Sequence, residues 1–294
     1  MNRTRRSTQQ QTTRFAGEYL AQLEAFAAVG PIPRVRALHL PPPIPEGDRN
    51  ANKGEFCALE LDDGSLGLSY VLLDDTLEKM RSAAEDFHLA GTDALALARR
   101  YVDGRGIDKT FGFAAANALT RCLFDRAGFV PDISADSIGG IDPRPADHIG
   151  MIGLFKPLLG RILGSGARLT VVELNADLAG AQEGYVVTLD TDALGDCNKV
   201  VSTSTLLLND TLDRMLACCR NARWFAMVGP SAGCLPDALF GRGVTLLGGS
   251  WVTDRAGFVN ALKRGESTSA CARKFALTRD DYPGTPALLK RLQS

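Results

Sequence analysis

Residues 148–175 constrain the fold of this chain more than any other stretch. They read as a buried strand that begins at His148, a glycine turn, a helix, and a second buried strand that ends on Glu173. Two such strands joined by a helix form the opening unit of a Rossmann-like domain. Glu173 follows Gly150 by 23 residues, close to the spacing at which such domains place an acid that binds a ligand hydroxyl. The stretch therefore predicts a ligand site at the strand ends.

The chain after residue 148 continues to alternate between strand and helix patterns. Strands are predicted at 148–153, 169–174, 200–204, 224–228 and 244–248, and helices at 157–164, 209–220, 235–241 and 254–264. This alternation predicts an α/β fold with a parallel sheet that is covered on both faces. We therefore expect a Rossmann-like domain at 148–265, followed by a polar C-terminal tail with one or two short helices at 266–294.

The first half predicts a smaller α+β domain at residues 15–130. Helices are predicted at 15–29, 75–86, 93–103 and 109–124, and a hairpin turns at Asp62-Asp63-Gly64. The last helix is dense in Gly and Ala, so we expect it to pack closely at the centre of the domain. Residues 131–147 are predicted to form a linker. Residues 1–14 are predicted to form a disordered tail, and an Arg-rich transit peptide is the alternative.

Composition excludes several classes of function. The 294 residues carry 33 basic and 34 acidic side chains, so no overall field attracts nucleic acid or an acidic membrane. No apolar run approaches the ~20 residues that cross a bilayer. Seven cysteines without a Cys-x-x-Cys pair argue against disulfides and against a cysteine-based zinc site, and they fit a cytoplasmic protein.

Distinctive residues follow the predicted strands, where open parallel sheets bind ligands. The first turn contains Gly150, Gly153 and Phe155 but lacks Gly-x-Gly-x-x-Gly. The sequence therefore does not predict the standard binding loop for a dinucleotide pyrophosphate. The turn still offers a helix N-terminus for an anion, or it merely reverses the chain. Glu173 and Asn175 end the second strand; Glu173 binds a ligand diol or a cation, or makes a surface ion pair of little energetic value.

Hydroxyl groups and another glycine follow the next two strands. Thr203 and Thr205 offer donors and acceptors to a polar ligand, whereas residues 209–211 favour helix capping. Gly229-Pro230-Ser231 follows the fourth strand and either contacts a ligand or forms an ordinary loop. No histidine follows Ser231 in the chain, which excludes a serine hydrolase of the usual α/β-hydrolase order.

The histidines and the clustered aspartates do not show the spacing of a known type of metal site. His39, His88 and His148 are far apart in sequence, and we expect each to be structural. The aspartates of 132–147 match no calcium loop, so a solvated linker is the better interpretation.

Six motifs in order give the chain a family resemblance. They are Gly-Phe-Ala-Ala-Ala-Asn-Ala-Leu (112–119), His-Ile-Gly-Met-Ile-Gly-Leu-Phe-Lys-Pro-Leu (148–158), Val-Val-Glu-Leu-Asn (171–175), Ser-Thr-Ser-Thr-Leu-Leu-Leu-Asn-Asp-Thr-Leu-Asp (202–213), Val-Gly-Pro-Ser-Ala (228–232) and Leu-Phe-Gly-Arg-Gly-Val (239–244). Over residues 15–265 the chain resembles the bacterial and archaeal family labelled putative heavy-metal chelation.

The resemblance implies an enolase-N-terminal-like domain before the Rossmann-like domain, with a ligand cleft between them. It implies roles for matching positions, namely Asn117, Gly150, Gly153, Phe155, Pro157, Glu173, Thr203, Thr205, Asn209, Thr211, Gly229, Pro230 and Ser231. The chain departs from the family at Ser204, where relatives often carry glycine; the larger residue would narrow the site.

Three functions stay open at this point. The first is a protein that binds a metal ion or a metal chelate, with a divalent metal as the cofactor and a small molecule as the partner. The second is an enzyme for a nucleotide-like or S-adenosylmethionine-like cofactor, and the third is a non-catalytic binding module. We expect no nucleic-acid or membrane partner, while a homo-oligomer stays open.

Overall fold

A computed structural model describes residues 14–43, 55–73, 75–83, 88–134 and 140–293. The predicted tail up to residue 13, residues 44–54, the end of the predicted helix at 75–86 and the centre of the predicted linker lie outside these residues.

Among the described residues before Ala127, which we call the first domain, four helices pack on a small antiparallel sheet. The helices are α1 Arg14–Val29, α2 Thr76–Ser82, α3 Ala94–Asp103 and α4 Ile107–Arg126, and the strands, in the order β1-β2-β3, are β1 Val35–His39, β2 Phe56–Leu61 and β3 Leu66–Tyr70. The hairpin turn is confirmed, since the Gly64 amide donates to the Leu61 carbonyl at 2.9 Å. The α/β class predicted for the whole chain is confirmed as well.

Helix α4 is the centre of the first domain because its small residues let neighbours approach its backbone. A Cβ at Gly112 would lie 2.1 Å from the backbone nitrogen of Tyr101 in α3. A Cβ at Gly67 in β3 would lie 2.0 Å from the Ala114 carbonyl oxygen of α4. Side chains larger than hydrogen would force these elements apart, so the small residues fix the packing.

The second domain is built on an eight-stranded sheet that is mostly parallel. Its strands are β4 His148–Ile152, β5 Arg168–Val172, β6 Gly180–Gln182, β7 Tyr185–Thr188, β8 Lys199–Thr203, β9 Trp224–Val228, β10 Leu246–Val252 and β11 Ala272–Thr278. The order across the sheet is β11-β10-β9-β8-β4-β5-β7-β6, and only the edge pairs β10–β11 and β6–β7 are antiparallel. The helices are α5 Lys156–Gly164, α6 Leu212–Cys218, α7 Asp237–Gly241, α8 Arg255–Arg264 and α9 Thr285–Arg291.

Both faces of this sheet are buried, as the alternation of strands and helices predicts. Neighbouring residues such as Val200 and Val201 belong to different apolar clusters because successive side chains of a strand point to opposite faces. The cluster that contains Val200 also contains most of the core of the first domain, including Tyr19 and Phe113. The two domains therefore share one continuous apolar core.

Two predicted segments require correction. Residues 266–294 are not a polar tail with short helices alone, because β11 pairs with β10 along seven residues before α9 begins. The described part of the predicted linker also packs on this edge, where the Ser134 amide donates to the Lys274 carbonyl at 3.0 Å. Sequence reasoning missed the β6–β7 hairpin, whose strands have three and four residues.

The helix predicted at 209–220 is shorter than expected and is preceded by a 3₁₀ turn at Ser204–Leu207. Asp210, with φ at +58°, interrupts the helical path between the two. Asn209 accepts from the Thr211 amide at 3.3 Å and from its hydroxyl at 2.5 Å, so it forms a local turn; no side chain caps α6. In the described ranges, no helix combines the length and apolarity that a transmembrane span requires.

Candidate functional site

Four neighbouring parallel strands end at one edge of the large sheet. They lie in the order β9-β8-β4-β5, so their carboxyl ends place Gly229, Thr203, Gly153 and Glu173 in a row. This edge is where open α/β sheets bind ligands. The structure thus brings one residue from each of the four predicted strand-end motifs to the same rim.

The turn after β4 is the centre of this row. Gly153 has φ at +82°, and its amide donates to the Val172 carbonyl at 2.9 Å. A Cβ at Gly153 would lie 3.2 Å from the Thr203 methyl group, so the turn packs directly against the end of β8. Phe155 precedes α5 and its amide donates to the Met151 sulfur at 3.3 Å. The glycine is required by the left-handed turn and by this close contact.

Glu173 holds the same turn from the other side. One carboxylate oxygen accepts from the Leu154 amide at 2.5 Å, and the other accepts from the Leu174 amide at 3.1 Å. The side chain is half-buried and forms no ion pair with the residues that the structure describes. Neither a ligand nor a surface ion pair is needed to explain its position, because it already satisfies two backbone donors.

Thr203 and Thr205 present the hydroxyl groups of the rim. Their hydroxyl oxygens lie 2.9 Å apart, and the Thr203 oxygen accepts from the Thr205 amide at 3.2 Å. Thr203 thereby caps the 3₁₀ turn, while the Thr205 hydroxyl has no backbone partner among the hydrogen bonds of the described residues. Both residues are half-buried, so the pair combines a structural role with hydroxyl groups that a ligand could reach.

The loop after β9 is mostly buried. Ser231 is 1% exposed, and its hydroxyl lies 3.0 Å from the Ser204 hydroxyl. Gly229 has φ at +151°, and a Cβ there would lie 2.4 Å from the Ser204 oxygen. Pro230 lines a small cavity of about 30 Å³ beside Asn117, which has room for little more than water. This loop therefore supports the rim from below and leaves no ligand-sized space of its own.

Asn117 joins the two domains. It is 2% exposed, and its amide group donates to the Leu68 carbonyl at 2.8 Å and to the Ser231 carbonyl at 3.0 Å. Its side-chain oxygen accepts from the Tyr19 hydroxyl at 3.1 Å. Both amide hydrogens are used within the protein, so Asn117 positions the loop after β9.

Two of the singled-out residues lie away from the rim. Gly150 is in the middle of β4, where a Cβ would lie 2.9 Å from Leu194 and 3.2 Å from the Cys197 sulfur. Its lack of a side chain lets the segment around Leu194 pack on the sheet. Asn175 is exposed and accepts from the Asp177 amide at 3.0 Å, which caps a short 3₁₀ turn.

The first domain adds residues that sequence reasoning missed. Burial, with the charges of Glu55 and Glu173, raises the pKa of Tyr70 to about 12. The Tyr70 ring packs edge-on against Phe56, with centroids 5.9 Å apart. Burial raises the pKa of Glu55 as well. An acid and two aromatic residues beside the hairpin were the available signal, but the sequence does not show which sheet face meets the second domain.

The first domain also fixes the segment that follows the rim threonines. The Tyr101 hydroxyl donates to the Leu207 carbonyl at 2.6 Å, and Lys109 forms an ion pair with Asp210. Asp210 is the residue with left-handed backbone, so the ion pair holds a conformation that is otherwise unfavourable. Thr205 therefore lies on a segment with contacts to both domains.

No protein-only metal centre is evident in the part of the chain that the structure describes, because no group of three or more His, Cys, Asp or Glu could hold an ion there. His39 contacts Glu60 at 2.8 Å, His148 contacts Thr170 at 2.8 Å at the start of β4, and His88 is exposed. Burial raises the pKa of the Cys57 and Cys234 thiols to about 12, which disfavours the thiolates that bind soft metals.

Comparison with known proteins gives two family models, both described as "Putative heavy-metal chelation". One matches residues 138–279 and the other residues 54–120. A curated relative, an uncharacterised protein of Methanocaldococcus jannaschii, is 25% identical over 149 residues, and the match spans 50% of this chain and 56% of the relative's length.

Two solved structures share the fold over nearly the whole chain. Both are proteins of unknown function from the family of the first model. The protein from Desulfitobacterium hafniense has a TM-score of 0.63 and 19% identity, with 90% of this chain and 98% of that chain covered. The protein from Pyrococcus horikoshii has a TM-score of 0.61 and 20% identity, with 91% and 99% covered.

Proposed function

Because this chain belongs to the family described as putative heavy-metal chelation, we propose that it binds a metal ion carried as a small-molecule chelate. The chelate binds at the rim formed by the carboxyl ends of β9, β8, β4 and β5.

One observation carries this proposal. The turn after β4 touches Thr203 on one side and Glu173 on the other, since a Gly153 Cβ would lie 3.2 Å from the Thr203 methyl and Leu154 donates to the Glu173 carboxylate. The turn therefore packs between the end of β8, which carries the Thr203–Thr205 hydroxyl pair, and the end of β5, which carries the Glu173 carboxylate. Oxygen donors of this kind bind hard cations or the polar groups of a chelate.

The side chains at the rim favour a metal chelate over a bare metal ion. A protein site for a soft metal needs several imidazole or thiolate ligands. The described residues provide no such group, and His39 and His148 form contacts elsewhere. A metal that arrives with its own ligands needs only hydrogen bonds and complementary charge from the protein.

Thr205→Val tests the proposal because valine keeps the shape of threonine and removes its hydroxyl. Thermal-shift titrations would use Ni²⁺, Co²⁺ and Zn²⁺, each alone and as a citrate or nitrilotriacetate complex. We expect a concentration-dependent rise in Tm for wild type with at least one complex. We also expect roughly fivefold weaker binding for the variant, since one hydrogen bond contributes about 1 kcal/mol.

Thr245→Val is the matched control, because the Thr245 hydroxyl donates to the Phe225 carbonyl at 3.0 Å and Thr245 precedes β10, at the edge of the sheet opposite the strand carboxyl ends. It should leave the titration unchanged. Equal binding by the Thr205 variant and wild type would contradict the proposed site. A Tm response to adenosine cofactors and to no metal complex would instead favour the cofactor-dependent enzyme.

A further inference from the structure

A single left-handed residue separates the two helical segments that follow β8. The 3₁₀ turn at Ser204–Leu207 and helix α6 at Leu212–Cys218 are right-handed, whereas Asp210 between them has φ at +58°. A residue with a side chain adopts this conformation at an energetic cost, which glycine avoids. The break at Asp210 therefore requires support from elsewhere in the molecule.

Three consecutive buried leucines favour this break in the helical path. Leu206, Leu207 and Leu208 are 3%, 2% and 5% exposed. One helix that continued through residue 210 would spread these side chains over about 200° of its circumference, wider than the stripe that a surface helix buries. The break lets the 3₁₀ turn and α6 pack in different orientations on the same apolar core.

The first domain supplies the support for the break. Lys109, near the start of α4, forms an ion pair with Asp210, and its ammonium group lies 5.6 Å from the centre of the Tyr101 ring. The Lys109 side chain is 11% exposed, so the lysine side of the ion pair is shielded from water. The Tyr101 hydroxyl donates to the Leu207 carbonyl at 2.6 Å. Two side chains of the first domain thus hold the turn and the break that follows it.

Backbone hydrogen bonds connect the break to Thr205. The amides of Leu208 and Asn209 donate to the Thr205 carbonyl at 2.9 and 3.1 Å, and Asp210 comes next in the chain. The Thr205 hydroxyl lies 2.9 Å from the Thr203 hydroxyl at the rim. A change of backbone conformation at residue 210 would therefore move the Thr205 hydroxyl.

We propose that Lys109 is a positioning residue, whose ion pair holds Asp210 in the left-handed conformation and thereby sets the place of Thr205 at the rim. The first domain in this way controls a site whose own residues lie in the second domain. The use of the rim as a binding site rests on the proposed function, whereas the effect of Lys109 on residues 205–211 does not.

Two double variants test the proposal, because glycine and alanine differ in the conformations that they allow at residue 210. Lys109→Met/Asp210→Gly and Lys109→Met/Asp210→Ala both remove the ion pair, and methionine keeps an unbranched chain beside Tyr101. Hydrogen exchange is followed by mass spectrometry without any added metal. We expect the amides of residues 205–211 to exchange roughly tenfold faster in the alanine variant than in wild type, because alanine disfavours positive φ. The glycine variant should stay within roughly threefold of wild type.

Arg100→Met is the control, because it removes a half-exposed ion pair of 2.8 Å to Asp108 within the first domain. It should leave exchange at residues 205–211 unchanged. Wild-type exchange in the alanine variant would overturn the proposal. Equally fast exchange in both double variants would also overturn it, since the backbone at residue 210 would then not be what the ion pair holds. If the alanine variant does not fold, Lys109→Met alone takes its place in the comparison.

Titrations with metal complexes separate this proposal from the proposed function. With nickel citrate and nickel nitrilotriacetate, the alanine variant should bind roughly fivefold more weakly than wild type, as expected for one lost hydrogen bond, and the glycine variant should match wild type. If wild type responds to no complex but the exchange pattern holds, the proposed function fails and the positioning role stands. If wild type binds a complex but both double variants exchange as wild type does, the positioning role fails and the proposed function stands.

Discussion

The glycines that the sequence analysis singled out have different structural roles, although they look alike in the sequence. Gly229 adopts φ of +151° and places its α-carbon where a Cβ would collide with the Ser204 oxygen at 2.4 Å. Gly150 has ordinary strand geometry and instead gives space to Leu194. A positive φ therefore distinguishes Gly229 at the rim from Gly150, whose missing side chain serves packing within the strand.

Gly229→Ala should lower the free energy of unfolding by about 1–3 kcal/mol, through backbone strain and displacement of Ser204. Gly160→Ala in α5 is the matched control, because nothing lies within 4 Å of its Cβ position. That change should stabilise the protein by about 0.5–1 kcal/mol, since alanine is the better helix former. Urea unfolding curves measure both, and equal effects of the two variants would contradict this account.

The strands of the small sheet carry a buried charge pair. Glu60 contacts His39 at 2.8 Å and Arg36 at 3.1 Å, with Arg255 of the second domain at 3.6 Å. Burial, with the charge of Lys263, lowers the pKa of His39 although Glu60 pulls it upward. Burial alone would raise the pKa of Glu60, but its bond to His39 and the two arginines bring it below its usual value. A neutral imidazole thus donates to a charged carboxylate.

Both shifts make the protein less stable in acid. A lowered folded-state pKa contributes stability above the unfolded-state pKa, and that stability is lost as pH falls through the folded-state pKa. For His39 the loss begins below its ordinary value of 6.5, and for Glu60 below 4.5. We expect His39→Gln, which retains a donor for Glu60, to reduce the fall in unfolding free energy below pH 6.5.

His148 limits the size of that effect, because burial and Arg168 lower its pKa in the same direction. Some pH dependence should therefore survive in His39→Gln. His88→Gln, at an exposed position, is the control and should follow wild type. Urea midpoints measured from pH 8 to pH 4 decide, and identical profiles for all three proteins would refute the assignment.

Sequence periodicity was sufficient for elements with a strong apolar pattern and failed for elements at the sheet edges. The strand at Trp224–Val228 has the bounds that the pattern predicts, because both of its faces are buried. Strand β11, Ala-Arg-Lys-Phe-Ala-Leu-Thr, carries two charges and hides mainly Phe275 and Leu277, so it reads as polar. The rim motifs were visible as strand ends, but their hydrogen-bond partners come from distant segments, which no local pattern reveals.

At the scale of the whole molecule, the two domains behave as one packed body. The core that contains Tyr19 and Phe113 continues into the second domain, and Asn117 connects α1, β3 and the loop after β9. Trp251 of the large sheet stacks on Phe124 of α4, with centroids 6.4 Å apart. Such continuity predicts a single cooperative unfolding transition.

Asn117→Ala should lower the free energy of unfolding by about 2–4 kcal/mol, because it leaves buried carbonyl groups of both domains without donors. Asn221→Ala is the control, since Asn221 makes a single bond of 2.7 Å to the Gly195 carbonyl within the second domain. We expect calorimetry to show one broadened or split transition for the Asn117 variant and one sharp transition for the control. A loss of unfolding free energy no larger than that of the control would contradict the role of Asn117 at the domain junction.

The position of β11 has a consequence for synthesis on the ribosome. The strand that covers β10 comes from residues 272–278, more than a hundred residues after β4 begins the sheet. Until those residues emerge, the nascent chain displays the open hydrogen-bonding groups of β10, a template for pairing with another polypeptide. Chaperone protection late in translation should therefore govern the yield of native protein more than the speed at which the central strands assemble.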